Sequence, residues 1–359
     1  MRIAVVNLTS GGFSGGYRKY LRRLMPLIAA DPRVTALSVL LPAGATLDIG
    51  AGLDVGTVER SAGRGGFRRA VALFAPDVVF VPTARKIHFS RIPVVTMVRN
   101  MEPLTVPFGG NTWTEGLKNL ARAWEARRAC TDARRVIAVS NFVRDFVVSR
   151  WDLDPNRVAT VYHGVDAPVP GAAPREPVRD APVLFTAGSI RPARGLEDVL
   201  RALVLLDPAV GLVVAGRLDP GCERYGSQLR ALSDRLGIAR RVNFVGHLEP
   251  SAMARAFARS RAFVMTSRAE ACPNTALEAM SCGLPTVSVD RPPMPEFFGD
   301  AALYYPTGDA HALAGQLRAL LSNPVDMTRL SEAALRRARA FTWNSTRDRT
   351  IEELERALS

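Results

Sequence analysis

Two doubly wound α/β domains in tandem are the architecture this sequence predicts, on three observations. At 359 residues the chain is too long for one ordinary core. Short β-branched apolar runs alternate with helix-length segments in both halves. A proline-rich tract without helical period separates the halves. In the first half the runs are Ile3–Asn7, Ala36–Leu41, Asp77–Val81, Pro93–Val98, Val136–Val139 and Val158–Tyr162. They are apolar on both faces, as strands of a parallel sheet covered by helices must be, and segments such as Tyr17–Ala30, Thr112–Cys130 and Asn141–Arg150 supply the helices. The tract Ala167–Ala181 holds four prolines and reads as the linker. The pattern then restarts with strands at Val183–Ala187, Val210–Ala215, Val242–Val245, Ala262–Met265 and Thr286–Val289, and helices near 195–206, 223–237, 250–259, 274–282 and 309–322. Met327–Leu358 reads as two helices broken near Phe341-Thr342-Trp343, where Thr342 and Asn344 suit a helix entry. The expected division is a first domain over 1–167, a linker over 168–181, a second domain over 182–340 and a C-terminal helix, 341–359, packing back on the domains.

Composition excludes several classes. With 47% hydrophobic and 23% charged residues the chain is that of a folded, water-soluble protein, not a disordered one. No stretch approaches the ~20 apolar residues of a membrane span, and Met1–Asn7 lacks a leader's apolar run, so a cytoplasmic protein is expected. Cys130, Cys222, Cys272 and Cys282 show no C-x-x-C spacing; they suit a reducing compartment as small buried or half-buried residues, and no metal site is expected.

Charge is distributed unevenly. The chain carries 47 Lys+Arg against 34 Asp+Glu, and only Lys19, Lys86 and Lys118 are lysines. Residues 1–170 have a net charge of +10 and residues 171–359 of +3. An arginine-rich codon usage would raise the total without serving function, but an excess confined to one half points to an anionic partner there: nucleic acid, a phospholipid surface or an acidic substrate. Arg18, Lys19, Arg22 and Arg23, with Arg60, Arg64, Arg68 and Arg69 around Phe67, are the candidate contacts. The apolar residues Tyr17, Tyr20, Leu21, Leu24 and Ile28 recur at helical spacing beside the first group, so a basic face next to an apolar one is available to an anionic membrane. Nucleic acid is not expected, because no aromatic-rich RNA-binding signature or recognition-helix module is present.

The most informative segment is Ser267–Pro285. A strand at Ala262–Met265 runs into a polar loop, Pro273-Asn274-Thr275 opens a helix, and Gly283 stops it. The N-terminus of such a helix at a sheet's carboxyl edge is an anion site, which a diphosphate would suit. Glu270 precedes the helix and Glu278 lies one turn inside it; a carboxylate accepts two hydrogen bonds side by side from adjacent sugar hydroxyls.

This segment resembles the E-x7-E signature of retaining glycosyltransferases of family 4, whose fold is GT-B: two Rossmann-like doubly wound domains facing a central cleft. The resemblance implies that Glu270 lies by the donor sugar, that Glu278 binds the nucleotide ribose, and that Asn274 and Thr275 meet the phosphates. Ala187–Gly195 is similar to the family's G-R-L-x-x-x-K-G loop, with Gly188 first, Arg194 in place of the lysine and Ser189 in place of an arginine whose clamp Arg191 would take over. Two guanidinium groups there would stabilise the charge growing on a departing diphosphate. Gly216-Arg217 and Gly246-His247 end the next strands and fit backbone approach to the nucleotide.

In the first domain the glycine-rich turn Gly11–Tyr17 is similar to the family's first loop, with Gly15 and Gly16 passing close to donor sugar and acceptor. Val139–Phe142 and Val161–Asp166 also resemble family segments. His163 stands where the family commonly has asparagine, and Arg99 or Asn100 where many members have a histidine.

The resemblance implies a metal-independent hexosyltransferase without a cofactor. A UDP- or GDP-sugar would be the donor, held mainly by the second domain. The hydroxyl acceptor would be held by the first, and the basic charge of that half points to an anionic or lipid-linked acceptor with peripheral contact at the inner membrane face, the alternative being a soluble acceptor beside a solvated arginine face. Retention would follow from same-face attack assisted by a donor phosphate oxygen. Fold alone does not fix the reaction, so a nucleotide-sugar epimerase or hydrolase is the alternative enzyme and a basic nucleic-acid-binding protein the alternative of another class.

Overall fold

The computed structural model describes residues 1–9, 15–45, 47–49, 54–59, 62–110, 112–166 and 182–359. Gly11–Ser14 of the first loop, Arg60 and the linker 168–181 lie outside the described residues. The chain divides into two compact units: Met1–Leu104, Leu117–Gly164 and Phe341–Ser359 form unit 1, and Thr105–Gly116 with Val165–Ala340 form unit 2. A first domain running unbroken through 1–167 thus differs from unit 1, which omits Thr105–Gly116 and includes the C-terminal helix.

Unit 1 is built on β1 (Arg2–Val6), β2 (Ala36–Pro42), β3 (Asp54–Val58), β4 (Val78–Val81), β5 (Val94–Val98), β6 (Arg135–Ala138) and β7 (Val158–Thr160). They form one parallel sheet ordered β3-β2-β1-β4-β5-β6-β7. Ile3 to Val6 and Val78 to Val81 are fully buried, as strands apolar on both faces must be. Its helices are α1 (Gly15–Ala29), α2 (Gly63–Phe74), α3 (Glu102–Thr105), α4 (Trp113–Asp132) and α5 (Asn141–Trp151), except that Thr105 of α3 and Trp113–Gly116 of α4 are grouped with unit 2. The periodic residues Tyr17, Tyr20, Leu21, Leu24 and Ile28 of α1 are all core. Its apolar face is therefore spent inside the fold, and α1 offers a membrane its arginines alone. Ser140 caps α5, its hydroxyl accepting from the Val143 amide at 3.2 Å.

Unit 2 contains β8 (Val183–Ala187), β9 (Gly211–Ala215), β10 (Val242–Gly246), β11 (Ala262–Met265), β12 (Thr286–Val289) and β13 (Ala302–Tyr305), all parallel and ordered β10-β9-β8-β11-β12-β13. Between them run α6 (Leu196–Val204), α7 (Glu223–Arg235), α8 (Pro250–Arg259), α9 (Asn274–Ser281), α10 (Met294–Phe298) and α11 (Ala310–Ser322), followed by α12 (Pro324–Ala338). The chain then returns to unit 1 as α13 (Trp343–Arg356), whose entry is capped as the sequence suggested: the Thr342 hydroxyl accepts from the Ser345 amide at 3.1 Å. The four cysteines are unbridged, Cys130 and Cys272 buried and Cys222 and Cys282 half-buried. Among the described residues no helix is long and apolar enough to cross a membrane.

Candidate active site

β8 and β11 are neighbours, yet β9 lies on the far side of β8 and β12 on the far side of β11. The connections leaving β8 and β11 therefore diverge, and such a switch point at the carboxyl edge of a parallel sheet is where this architecture opens a ligand crevice. The loop 188–195 follows β8 and the loop 266–273 follows β11, so the two sequence motifs meet at that point.

The loops are joined by main-chain and side-chain bonds. The Arg268 amide donates to the Ala193 carbonyl at 2.8 Å, and the Thr266 hydroxyl to the Arg194 carbonyl at 2.6 Å. Arg194 Nη1 donates to Ser267 Oγ at 3.0 Å and to the carboxylate of Glu270. With only 16% of the Arg194 side chain and 11% of the Glu270 side chain exposed, solvent and salt screen this ion pair little. Arg194 Nε is buried with no acceptor among the described residues.

A second acidic group holds the loop from beneath. Arg268 Nη2 lies 3.6 Å from Glu197 Oε2 and 3.7 Å from Asp198 Oδ1, both in the first turn of α6. Asp198 is fully buried; its Oδ2 accepts from the Tyr305 hydroxyl at 3.3 Å and the Gly308 amide at 3.0 Å. Burial, reinforced by the facing Asp198 carboxylate, pushes the Tyr305 phenol up, which keeps it a donor. The Tyr225 hydroxyl donates to Glu197 at 3.1 Å. Arg268 thus anchors the loop bearing Glu270 to the helix that follows Arg194. Ser267, Arg268, Glu197 and Asp198 were not singled out from the sequence.

Gly188, Gly216 and Gly246 sit at the carboxyl ends of the adjacent strands β8, β9 and β10. The Gly188 amide donates to Ala215 O at 2.9 Å and the Gly216 amide to Gly246 O at 2.7 Å. A Cβ on Gly188 would come within 2.6 Å of Arg194 Cζ, and one on Gly216 within 1.8 Å of the Gly188 carbonyl oxygen. Gly216 also has φ +153°, so a side chain is excluded there both by space and by backbone conformation. The backbone of this edge is bare because two strand ends lie against each other and against the guanidinium.

α9 starts at Asn274 without a side-chain cap; its first turn closes through the Ala276 and Leu277 amides on Pro273 O at 2.9 and 3.1 Å. The helix entry expected of Pro273-Asn274-Thr275 is present, but Asn274 is its first residue and not its cap. Asn274, Thr275 and Glu278 are half-buried on this helix. Arg191 lies 3.7 Å from the Asp219 carboxylate, on the loop after β9. Arg217 and His247 are exposed, His247 Nε2 being 3.6 Å from Glu249.

The remaining candidates belong to unit 1. Gly15 and Gly16 open α1. Arg99 follows β5, its guanidinium 4.1 Å from the Tyr17 ring centroid and 5.4 Å from that of Tyr20. The Tyr20 ring lies 4.8 Å from that of His163, which is 2% exposed. Arg99 and His163 therefore share one aromatic cluster, in which burial drives the Tyr17 and Tyr20 phenols up against the opposing charge of Arg99. Asn100 is exposed and its Oδ1 accepts from the Glu102 amide at 3.1 Å, opening α3.

Comparison with known proteins agrees with this geometry. The family model "Glycosyltransferase Family 4" matches residues 60–168, and "Glycosyl transferases group 1" matches residues 173–337. A D-inositol 3-phosphate glycosyltransferase of Rhodococcus opacus is 28% identical over 256 residues, 66% of this chain and 56% of that protein. One from Mycobacterium avium is 30% identical over 244 residues, 63% of this chain and 56% of that protein. The chain thus spans about half the length of the curated relatives it matches. Among solved structures, Anabaena HepE in complex with UDP-glucose superposes with a TM-score of 0.76 over 99% of both chains at 17% identity. The Glycosyltransferase Family 4 model thus falls on residues 60–168 and the glycosyl transferases group 1 model on residues 173–337, and the two parallel-sheet units have the GT-B fold.

Proposed function

We propose that the protein is a retaining glycosyltransferase that moves a sugar from a UDP- or GDP-sugar to a hydroxyl acceptor without a metal or other cofactor. The observation that carries this reading is the Arg194–Glu270 pair at the switch point of unit 2, next to the start of α9. Arg194 and the helix N-terminus supply positive potential for a diphosphate leaving group, the task a divalent cation performs in other transferases. Glu270 lies by the donor sugar, Glu278 binds the ribose, Asn274 and Thr275 meet the phosphates, and Gly188, Gly216 and Gly246 admit the nucleotide to the backbone. Arg191, Arg217 and His247 contribute from the rim of unit 2's site, and Gly15, Gly16, Arg99 and Asn100 are the substrate-binding residues of unit 1. His163 takes a supporting role through Tyr20. The relative solved with UDP-glucose favours UDP among the two bases.

The acceptor is anionic or lipid-linked. Arg18, Arg22 and Arg23 on α1 and Arg64, Arg68 and Arg69 on α2 are exposed, and the relatives include transferases named for a phosphorylated polyol. The protein acts in the cytoplasm, which its unbridged cysteines suit, with peripheral contact at the inner membrane face through unit 1. The test is a transfer assay with UDP- and GDP-sugars and phosphorylated or lipid-linked alcohols, with EDTA present, the product anomer being read by NMR. Transfer with retained configuration is expected. Inverted product, sugar release without acceptor dependence, or activity lost to EDTA and restored by magnesium would each refute the corresponding part.

A further inference from the structure

Helix α4 wears its large apolar residues on the outside. Trp113, Leu117, Leu120 and Trp124 are 76%, 56%, 45% and 63% exposed, whereas the residues it buries include Gly116, Asn119, Ala126, Ala129 and Cys130. The exposed four are spaced four, three and four residues apart, which places them along one stripe about 16 Å long. Phe108, 39% exposed, extends it with its ring edge-to-face on Trp113 at 5.2 Å. A core-facing helix has the opposite arrangement, so this stripe is a docking surface in its own right.

Its charged flanks identify what docks. Arg127 and Arg128 are exposed beside the stripe, and the Arg128 guanidinium lies 4.9 Å from the Trp124 ring centroid. Two of the helix's three acids are engaged with cations: Glu125 by Arg64 of α2 and by Arg85, and Asp132 by Lys86 Nζ at 2.5 Å. Through Arg64 the basic residues of α2 border α4. A narrow ridge of tryptophan and leucine flanked by Arg127 and Arg128 is the surface that settles at the boundary of headgroups and acyl chains of an anionic bilayer. We propose that α4 is the membrane-docking element of this protein, its Trp113–Trp124 stripe inserted into the interface and Arg127 and Arg128 on anionic headgroups. This deepens the membrane-contact part of the function proposed above and moves the anchor from α1, whose apolar face is buried, to α4.

Sedimentation of the full chain with phosphatidylcholine vesicles, alone or with about a third phosphatidylglycerol, tests it. Wild type is expected to bind the anionic vesicles preferentially and with a blue-shifted tryptophan emission. W113S/W124S and R127Q/R128Q are each expected to lose at least about tenfold in partitioning, with unchanged melting temperature and nucleotide affinity. Wild-type binding that both variants retain would overturn α4 as the anchor and leave membrane contact standing. Absence of wild-type binding would overturn both. Variants that dissociate a wild-type oligomer while binding vesicles as before would show that the stripe serves a protein partner, which also overturns the inference.

Discussion

Removing the guanidinium of Arg194 should alter phosphate recognition more than anything else about the protein. Arg194 projects from the loop after β8, held at Nη1 by Ser267 and Glu270, and a guanidinium oriented in this way can donate from Nη2 to a second phosphate. A hydrogen bond to a charged group contributes about 1.5–3 kcal/mol, so Arg194→Ala should weaken binding of a nucleoside diphosphate by about one to two orders of magnitude. The monophosphate, lacking the second phosphate, should lose little. The same substitution strands the largely buried Glu270 carboxylate, and a cost of about 1–3 kcal/mol there would lower the melting temperature by several degrees. Arg194→Lys keeps the charge without the planar fork and should fall between. Calorimetric titration of UDP and UMP into the three proteins is the assay. If the alanine variant weakens both nucleotides equally, or neither, Arg194 does not read the second phosphate and the reasoning is wrong.

Three further predictions follow from the same geometry. Glu278→Ala should weaken UDP binding, whereas Glu270→Gln should depress turnover more than UDP affinity; wild-type affinity and turnover in both would remove the assignment. Gly216→Ala, whose Cβ would fall 1.8 Å from the Gly188 carbonyl oxygen, should destabilise unit 2 and weaken UDP binding, and a wild-type melting curve would contradict the packing of β8 against β9. The bidentate Arg33 guanidinium, at 2.9 and 3.0 Å, holds the Asp31 carboxyl down at about 2 from its ordinary 3.8. A carboxyl with a depressed folded-state pKa stabilises above its unfolded value and loses that contribution as pH falls through the folded one. The stability gap between wild type and Asp31→Asn, measured by urea unfolding, should therefore be full at neutral pH and shrink between about pH 4 and pH 2; a gap independent of pH would exclude the ion pair as its source.

What could be read from the chain depended on whether a residue's role was written in local pattern. Strands buried on both faces, such as Ile3–Val6 and Ala262–Met265, announce themselves as apolar runs. β3 does not: Asp54–Val58 is an edge strand exposed along most of its length, and Gly56 is there because a Cβ would meet Leu40 Cδ2 at 2.8 Å. Glu270 and Arg194 stood out by their motifs, although nothing local says that they pair, since 76 residues separate them and only the order β8–β11 brings them together. Asp198 and Arg268 look like ordinary surface charges in sequence, because their burial and mutual approach are consequences of the two loops meeting. The same holds for α4, where the spacing of Trp113, Leu117, Leu120 and Trp124 suggests a buried face and the fold places it outward.

The central claim is that the donor nucleotide is held where the loops after β8 and β11 meet, and hydrogen–deuterium exchange with saturating UDP tests it most directly. Protection is predicted in residues 188–196, at the ends of β9 and β10 around Gly216 and Gly246, and from Ser267 through Glu278. UDP binding detected by calorimetry with no protection in those segments would contradict it.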